Sequence, residues 1–359
     1  MSAVGPPSAE VAARAADRLG ALAIPAGALG RLGDLGVWIC ATQGQVPPRE
    51  LTDVRLVIFA GDHGVSAYGV SAYPAKITAA MVRTFVMGKA TVSALAAAHD
   101  VRVRVLDIGV DDDLDGVDPE VREHKVREHK VRRGSGAIHL QDALTDEEAR
   151  QALEAGATVA AEEIAQGAQL LLCGDMGIGN TTPAAALVAA GLGLPATEVT
   201  GRGTGIDDLA VVHKQVIVQQ ALDRAGERSL DAFESLVALG SADLAAATGF
   251  MVAAARAGVP VLLDGVISVA CALTAERLAP GSVGWFAAGH RSTEPAQSLA
   301  LEKLGLQPLL ELDMRLRRLG GAGSGAVAAV PVLRSAVSVL RDVALLADLL
   351  PDGGWLSAR

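Results

Sequence analysis

Short apolar runs that end in glycine-rich polar turns recur along this chain and alternate with longer helical segments. The run at 54–60 ends in the turn at 61–64, and the run at 169–173 ends in the turn that begins at 174. Apolar runs of this length are typical of strands that are buried on both faces of a sheet. Strands that alternate with helices predict an α/β fold, in which a mainly parallel sheet carries helices on both faces.

The same pattern places the elements and the edge of the sheet where a ligand is expected. It predicts strands at 54–60, 101–110, 169–173, 259–263, 283–287 and 308–312. It predicts helices at 75–99, which Gly88 can break, at 206–225, 242–257, 267–278 and 294–304, and a helix that starts at Thr145 with Glu148 in a capping box. Ligands bind at the carboxyl ends of strands in such sheets. The polar clusters at those ends, 61–64, 174–182, 264–265 and 289–295, therefore mark the predicted site.

Composition excludes several classes of protein. Apolar residues make up 50% of the 359 residues and aromatic residues only 3%. A chain this apolar buries a large core of Ala, Val, Leu and Ile, so global disorder is excluded. The formal net charge of -10 disfavours generic nucleic-acid binding. The cysteines, Cys40, Cys173 and Cys271, are far apart, which fits a reducing cytoplasm and gives no metal motif.

No membrane segment is expected. The N-terminus lacks the basic and apolar regions of a signal peptide. The charge-free run at 176–197 is long enough to span a bilayer, but its glycines and prolines predict a loop and a short buried helix instead.

A charged stretch at 111–136 contains a tandem duplication, Val-Arg-Glu-His-Lys at 121–125 and again at 126–130. Such a stretch predicts a solvated surface loop. His124 and His129 are not spaced as a helical metal pair, so zinc is not expected there.

The densest polar signal, at 174–183, follows a predicted strand and opens a helix. Gly177 and Gly179 let backbone amides approach a ligand, Asn180 and Thr181 add polar groups, and a helix N-terminus favours an anion. The segment matches neither the dinucleotide fingerprint nor a P-loop, because no Lys follows, and this disfavours a nucleotide hydrolase. The alternative is a capped turn without a ligand.

A second glycine-rich turn, at 201–208, contains Gly203, Thr204 and Gly205 and also opens a helix, in which Lys214 lies. Backbone amides and an ammonium group could together hold a phosphate. The alternative for Lys214 is a solvated helix face. With a third glycine-rich turn at 319–326, these segments predict one phosphorylated ligand held from several sides.

Titratable residues stand at other strand ends. Asp62 and His63 follow the first strand, and His290 and Glu294 follow a later one. Hydrogen-bonded turns and helix caps are the alternatives for these residues. The residues alone predict an α/β enzyme that acts on a phosphate-bearing small molecule, and they leave the reaction open.

Taken together and in this order, several segments resemble the nicotinate-nucleotide–dimethylbenzimidazole phosphoribosyltransferase, or CobT, family. The matching segments are 59–65, 69–74, 129–136, 174–187, 203–208, 262–266, 272–281, 289–295 and 314–316. The resemblance extends from about Gly27 to about Leu350.

The resemblance implies phosphoribosyl transfer from nicotinate mononucleotide to 5,6-dimethylbenzimidazole or a related base. The products would be nicotinate and α-ribazole 5′-phosphate, used for the lower ligand of cobalamin. It implies a Rossmann-like domain at 51–312, and a small helical domain formed from both chain ends, 1–50 and 313–359. It also implies a homodimer with small-molecule substrates and no cofactor, metal, nucleic acid or membrane.

The resemblance also assigns roles to residues of this chain. Those implied to bind phosphate and ribose are Gly177, Gly179, Asn180, Thr181, Gly203, Thr204, Gly205 and Lys214. Those implied to lie near the acceptor base are Ser71, Tyr73, Ala80 and Met81. Further candidates for the site are Asp62, His63, Asp264 and His290.

The chain departs from the family pattern in the half of the site that would hold the acceptor. The family's catalytic Glu lies in a Leu-Gly-Glu-Gly-Thr-Gly-Ala motif, where this chain has Ala322 preceded by extra residues. Ala80 stands where the family often has Gln, and Asp175 replaces a Glu found in many members. Ala cannot accept a proton, so Asp175 is the predicted catalytic base. The alternative is a catalytically weak paralogue that binds nicotinate mononucleotide or a benzimidazole.

Overall fold

The strands of the fold form one parallel sheet in a computed structural model that describes residues 2–314 and 321–349. The strands are β1 (Val54–Gly61), β2 (Val101–Gly109), β3 (Leu170–Met176), β4 (Val261–Leu263) and β5 (Phe286–Ala288). They are ordered β2-β1-β3-β4-β5, and every neighbouring pair is parallel. The predicted α/β class is confirmed.

Helices connect the strands and cover both faces of the sheet. In the described ranges they are α1 (Ala9–Ala21), α2 (Arg31–Gln43), α3 (Ile77–Val86), α4 (Thr91–Ala98), α5 (Pro119–Val121), α6 (Asp146–Ala165), α7 (Thr181–Leu192), α8 (Ala196–Val199), α9 (Asp208–Ala225), α10 (Ala232–Leu239), α11 (Ala242–Arg256), α12 (Val266–Leu278), α13 (Pro295–Leu304), α14 (Ser324–Asp342) and α15 (Leu346–Leu349). The predicted helix at 75–99 is broken as expected, because Gly88 adopts a positive φ of 68° between α3 and α4. The capping box of α6 is present, with Thr145 and Glu148 each accepting the other's backbone N–H.

Successive strand residues point to opposite faces of the sheet, so the sheet separates two apolar cores. Val57 and Phe59 of β1 lie in the core that includes residues of α6, α7 and α11. Leu56 and Ile58 lie in the other core, with residues of α3, α4 and α14. Every residue of β1 is buried, as the near-continuous apolar run predicts.

Helices from both chain ends form a third, smaller core. Val11 and Ala15 of α1 pack with Cys40 of α2 and Leu340 of α14. The guanidinium of Arg18 donates a 2.6 Å hydrogen bond to the carbonyl oxygen of Leu340, close to the end of α14. This cluster is the small helical unit of the predicted fold class. The boundaries at 50 and 312 remain predictions, and residues 315–320 and 350–359 of the predicted C-terminal part lie outside the described residues, as do Arg315 and Leu316 of the matched segment 314–316.

The structure differs from the sequence prediction for two strands in the C-terminal half of the chain. The segment 308–312 is not a strand: it makes a single bridge, between Leu310 and His290. Pro308 has no N–H to donate to a ladder, and Asp313 turns the chain away with a positive φ of 48°. The strand predicted at 283–287 begins only at Phe286, because Ser282–Trp285 form a 3₁₀ turn whose Val283 N–H is held by the Glu276 carboxylate.

The prediction of a solvated loop is wrong for the second copy of the charged repeat. Val126 is buried, and the ammonium of Lys130 forms a 2.6 Å ion pair with the fully buried carboxylate of Asp107. The buried carboxylate of Asp107, near the end of β2, needs a cation beside it. This requirement explains why the segment that carries Lys130 packs against the sheet. In the first copy, His124 remains exposed, as predicted.

The second copy also brings three possible metal ligands together. One ligand atom each from Glu128, His129 and Glu162 lies within 4.8 Å of the others. The guanidinium of Arg104 forms ion pairs with both carboxylates, at 3.3 Å to Glu128 and 2.7 Å to Glu162. Both acids are therefore already paired with an arginine of β2.

In the described part of the chain, one helix, α14, is long and apolar enough to cross a membrane. It lies against the sheet, with Ala326, Val330 and Leu333 fully buried in the second core. The charge-free run at 176–197 contains the end of β3, a loop and the buried helix α7, as predicted.

Candidate active site

A pocket opens at the carboxyl ends of β3, β4 and β5, where the topology predicts a ligand. It has a cavity volume of about 160 Å³ and opens to solvent. Its walls are the loops after these strands, the loop at 203–204 and the segment that precedes α14.

Nine of the residues predicted for the site line this pocket. They are Asp175, Gly177, Asn180, Thr181, Gly203, Thr204, Asp264, His290 and Ala322. Three other predicted residues do not line the pocket. Gly179 and Gly205 lie in the loops that form its wall, and Lys214 lies in α9, which follows the second of these loops.

The residues predicted to lie near the acceptor base are not part of the pocket wall. Ser71 contacts a residue of the wall, because its hydroxyl oxygen lies 3.1 Å from the hydroxyl oxygen of Thr204. Ala80 is exposed, Met81 is buried, and Tyr73 is half-buried against the second core. Their predicted role stays a prediction.

The loop after β3 leaves no room for a side chain at Gly177. A Cβ at this position would overlap the carbonyl oxygen of Gly61 and the imidazole of His63. The glycine therefore lets the loop pass directly over the end of β1. Helix α7 begins at Thr181, directly after this loop, and both Asn180 and Thr181 line the pocket, as the sequence predicts.

The second loop is held from two sides. The backbone N–H of Gly203 donates a 2.9 Å hydrogen bond to the Glu294 carboxylate. The Thr204 hydroxyl accepts a 2.9 Å hydrogen bond from the backbone N–H of Ala72. These contacts fix the loop beside the pocket and give Glu294 a positioning role that the sequence did not settle.

Lys214 lies under this loop and is fully buried, so the alternative of a solvated helix face is wrong. Its ammonium donates a 2.7 Å hydrogen bond to the Thr181 hydroxyl. Burial lowers the pKa of Lys214 to about 8, although the Glu294 carboxylate acts in the opposite direction. The lysine is therefore mostly protonated at neutral pH and offers a positive charge where the two glycine-rich loops meet.

Asp175 places a carboxylate with an unusual proton affinity in the pocket. Burial, followed by the negative charge of Asp243, raises its pKa to about 7. The Asn180 side-chain amide donates a 2.6 Å hydrogen bond to one of its oxygens and holds the carboxylate in place. A carboxylate with a pKa near the working pH is suited to general-base catalysis.

Asp264 organises the segment that carries Ala322. Its carboxylate accepts hydrogen bonds from the backbone N–H groups of Gly323 at 3.1 Å and Ala326 at 2.8 Å, and lies 3.4 Å from the imidazole of His290. Burial favours the neutral acid, but His290 and the backbone amides outweigh it and lower the pKa of Asp264. Ala322 adopts a positive φ of 52° in this turn, and its side chain faces the pocket without a group that could accept a proton.

Asp62 and His63 lie behind the pocket rather than in its wall. The His63 imidazole is buried beneath Gly177, and its Nε2 lies 3.5 Å from a carboxylate oxygen of Asp243. Sequence reasoning missed Asp243, because an acid in the first turn of α11 is ordinarily explained by the helix dipole. Its only signal was its position in an otherwise apolar helix.

The lining of the pocket also includes apolar residues, Met176, Ile178, Val266, Ile267 and Met314. The pocket therefore combines two polar, glycine-rich loops, which meet beside the buried Lys214, with apolar side chains and the carboxylate of Asp175. Such a pocket can hold a phosphorylated sugar and a planar aromatic group together.

Comparisons with known proteins find similarity over nearly the whole chain. A phosphoribosyltransferase family model matches residues 4–348. The nicotinate-nucleotide–dimethylbenzimidazole phosphoribosyltransferase of Mycolicibacterium paratuberculosis is 50% identical over 345 residues, covering 96% of each chain. The protein of the same name from Mycobacterium leprae is 48% identical, covering 96% of this chain and 95% of that one. The crystal structure of CobT from Thermus thermophilus is 42% identical with a TM-score of 0.87, covering 96% of this chain and 98% of that one.

Proposed function

The chain belongs to the nicotinate-nucleotide–dimethylbenzimidazole phosphoribosyltransferase family, and we infer that it transfers phosphoribose from nicotinate mononucleotide to 5,6-dimethylbenzimidazole or a related base. The products are nicotinate and α-ribazole 5′-phosphate, which supplies the lower ligand of cobalamin. One observation carries this conclusion at the site: a buried lysine lies where two glycine-rich loops of the pocket wall meet, and the same wall contains Asp175, whose pKa burial raises to about 7.

We propose that the 5′-phosphate binds between the loop at 177–181 and the loop at 203–205. The backbone N–H of Thr181, at the start of α7, supplies a hydrogen-bond donor, and Lys214 supplies a positive charge. The phosphate would then fix the position of the ribose, with its anomeric carbon towards the apolar residues of the pocket lining.

The acceptor base would lie against apolar residues of the pocket lining, such as Met176 and Val266, in the same pocket as Asp175. Among the described residues, three carboxylates line the pocket, and two of them already accept hydrogen bonds from backbone N–H groups. Asp264 binds two backbone amides, and Glu294 binds the Gly203 N–H. Asp175 is the carboxylate whose raised pKa suits proton removal.

The transfer is then a single displacement with inversion. The unprotonated nitrogen of the benzimidazole attacks the anomeric carbon, and the bond between that carbon and the nicotinate nitrogen breaks. The bonding electron pair leaves with nicotinate, whose ring nitrogen becomes neutral. The N–H proton of the benzimidazole passes to Asp175, which leaves the product base without a net charge.

The alternative of a catalytically weak paralogue has no support from the relatives. Proteins identical to this chain at about half of their positions, along nearly their whole length, carry the name of the transferase. Ala322 therefore bears on how fast the reaction proceeds rather than on its type.

We propose that the protein acts as a homodimer in the cytoplasm. Helix α9 exposes Leu209, Val212 and Val216 on one face, with Leu209 83% exposed. Apolar residues spaced three and four apart form a stripe that a second subunit could cover. The start of α9 adjoins the Gly203 loop, so the partner would lie close to the pocket. The unpaired cysteines Cys40, Cys173 and Cys271 agree with a reducing compartment.

The decisive experiment combines purified protein with nicotinate mononucleotide and a panel of bases, with products identified by mass. We expect α-ribazole 5′-phosphate and an equal amount of nicotinate with 5,6-dimethylbenzimidazole. Asp175→Asn is the matched variant, since it keeps the size of the side chain and the hydrogen bond to Asn180 but removes the base. A protein that releases no nicotinate with any base would contradict the proposed function.

A further inference from the structure

A buried cluster of charged residues lies directly behind the pocket and takes no part in binding as described so far. His63 follows β1, Asp243 lies in the first turn of α11, and neither side chain reaches the pocket wall. Both are buried, with 3% and 0% of their residue surface exposed. A charge pair removed from water in this way is costly to keep, so it calls for an explanation.

The two side chains face each other but leave much of their hydrogen-bonding capacity unused. His63 Nε2 lies 3.5 Å from Asp243 Oδ2. Beyond this contact, neither ring nitrogen of His63 and neither carboxylate oxygen of Asp243 has a hydrogen-bond partner among the described residues. A purely structural polar pair would satisfy these atoms through the backbone around it.

The surrounding chain is built to bring this pair close to the pocket. Gly61 and Gly177 lack the side chains that would overlap Asp243 and His63, respectively. Gly177 belongs to the pocket wall, so the imidazole is separated from the pocket by a single backbone segment. Asp175 lies just before this segment, at the end of β3.

We propose that Asp243, paired with His63, is a positioning residue for the transfer reaction, because the buried pair packs against Gly61 and Gly177, and Gly177 is two residues from Asp175, which takes the acceptor's proton. This inference rests on the proposed function and deepens it. Asp243 touches neither substrate, so it acts only through Asp175. Such a device matters in a chain whose residue 322 is an alanine and can accept no proton.

The charges around Asp175 support this role and fix its sign. After burial, Asp243 contributes most to the raised pKa of Asp175, Asp264 adds to it, and His63 opposes it. Burial lowers the pKa of His63, but Asp243, and then Asp62 and Asp175, outweigh it and raise that pKa. The nearby thiols stay neutral, because burial raises the pKa of both Cys173 and Cys271. Asp243 and His63 therefore act on Asp175 in opposite directions.

The test is the pH profile of kcat/KM for Asp243→Asn and His63→Gln. Asp175 must be ionised to act as a base, so activity falls as pH decreases through its pKa of about 7. Asp243→Asn should move this acidic limb to lower pH, although the loss of the charge on His63, which Asp243 sustains, offsets part of the shift. A downward shift of about one pH unit raises the rate at pH 6, relative to the plateau, by about fivefold. The plateau itself should fall, because a less basic carboxylate is a weaker catalyst.

His63→Gln should move the same limb to higher pH, since it removes the positive charge that favours ionised Asp175. Asp107→Asn is the matched control, because it removes another fully buried carboxylate, one that pairs with Lys130 away from the pocket. It should lower stability and leave the limb in place. Acidic limbs that stay unchanged, or that move in the same direction in both variants, would overturn the proposal.

A second measurement applies to variants that fold but whose turnover is too slow for a pH profile of kcat/KM. The carboxyl carbon of Asp175, labelled with ¹³C and assigned with Asp175→Asn, can be titrated by NMR in the protein without substrate. We expect the pKa of Asp175 to be lower in Asp243→Asn and higher in His63→Gln than in the wild type. The absence of these two shifts would overturn the proposal. A wild-type protein that transfers no phosphoribose would refute the proposed function, whereas this titration would still decide the effect of Asp243 on Asp175.

Discussion

The ammonium of Lys214 lies 2.7 Å from the hydroxyl of Thr181 and thereby joins helix α9 to the first turn of α7. Lys214 is fully buried, and the two glycine-rich loops meet beside it. We expect Lys214→Ala to weaken nicotinate mononucleotide binding by about 1.5–3 kcal/mol, the usual value for a hydrogen bond to a charged group. Calorimetry measures this affinity directly.

Lys130→Ala is the control for the loss of a largely buried ammonium, since Lys130 pairs with Asp107 at the end of β2. It should destabilise the fold and leave nucleotide affinity unchanged. An unchanged affinity in Lys214→Ala would remove this lysine from the phosphate site.

The pKa of Lys214 predicts how binding depends on pH. Burial lowers this pKa to about 8, so the ammonium is present below that pH and is lost above it. Affinity for nicotinate mononucleotide should therefore decrease as pH rises from about 7.5 to about 9.5. Lys214→Arg keeps its charge over this range. The decrease should disappear in that variant, and an identical decrease in both proteins would assign it to another group.

The sequence pattern predicted the pocket more accurately than it predicted the groups that tune it. The loop at 174–183 could be identified because strand, glycines and helix start occur together locally, and Asn180 and Thr181 indeed line the pocket. Asp243 could not be identified, because its role depends on the packing of α11 against the ends of β1 and β3, which no local pattern reports. Lys130 was assigned to a solvated loop for the same reason: its partner, Asp107, lies on a distant strand segment.

Close packing between α6 and α11 predicts a specific site of instability. A Cβ at Gly156 would overlap the backbone carbonyl of Ala246, so the two helices could not keep their separation. We expect Gly156→Ala to lower the free energy of unfolding by about 1–3 kcal/mol, as overpacking generally does. Urea denaturation is the measurement.

Gly20→Ala is the matched control, because Gly20 lies within α1 and has open space where a Cβ would be added. This substitution should be neutral or stabilise the protein by about 0.4–1 kcal/mol. Equal effects at the two glycines would contradict the packing argument.

The exposed apolar face of α9 predicts how to disrupt the proposed dimer. Val212 lies between Leu209 and Val216 on this face and is 57% exposed. We expect Val212→Asp to shift light-scattering mass from twice the chain mass towards 36.6 kDa. Met87→Asp places the same charge on an equally exposed apolar residue after α3 and should leave the mass unchanged. A wild-type particle of 36.6 kDa at micromolar concentration would contradict the dimer.

The last prediction concerns Ala322, which faces the pocket from a turn held by Asp264. If the missing carboxylate limits the rate, Ala322→Glu should raise transfer to 5,6-dimethylbenzimidazole, since general-base catalysis contributes about 10²–10⁴-fold. Ala322 already carries a Cβ at its positive φ of 52°, so Glu adds no new clash of that atom with the backbone. The gain falls if the new carboxylate is misplaced, because an error of about 1 Å costs on the order of 10²-fold.

Ala322→Gln separates the effect of the charge from that of side-chain size, and it should give no gain. Asp175→Asn should abolish the transfer activity of the wild-type protein, and Ala322→Glu combined with Asp175→Asn should restore part of it, because the second carboxylate can then take the proton. Steady-state rates at about pH 8, where Asp175 is mostly ionised, allow the four variants and the wild type to be compared directly. A wild-type rate equal to that of Ala322→Glu would show that Asp175 alone suffices and that the alanine is no catalytic lesion.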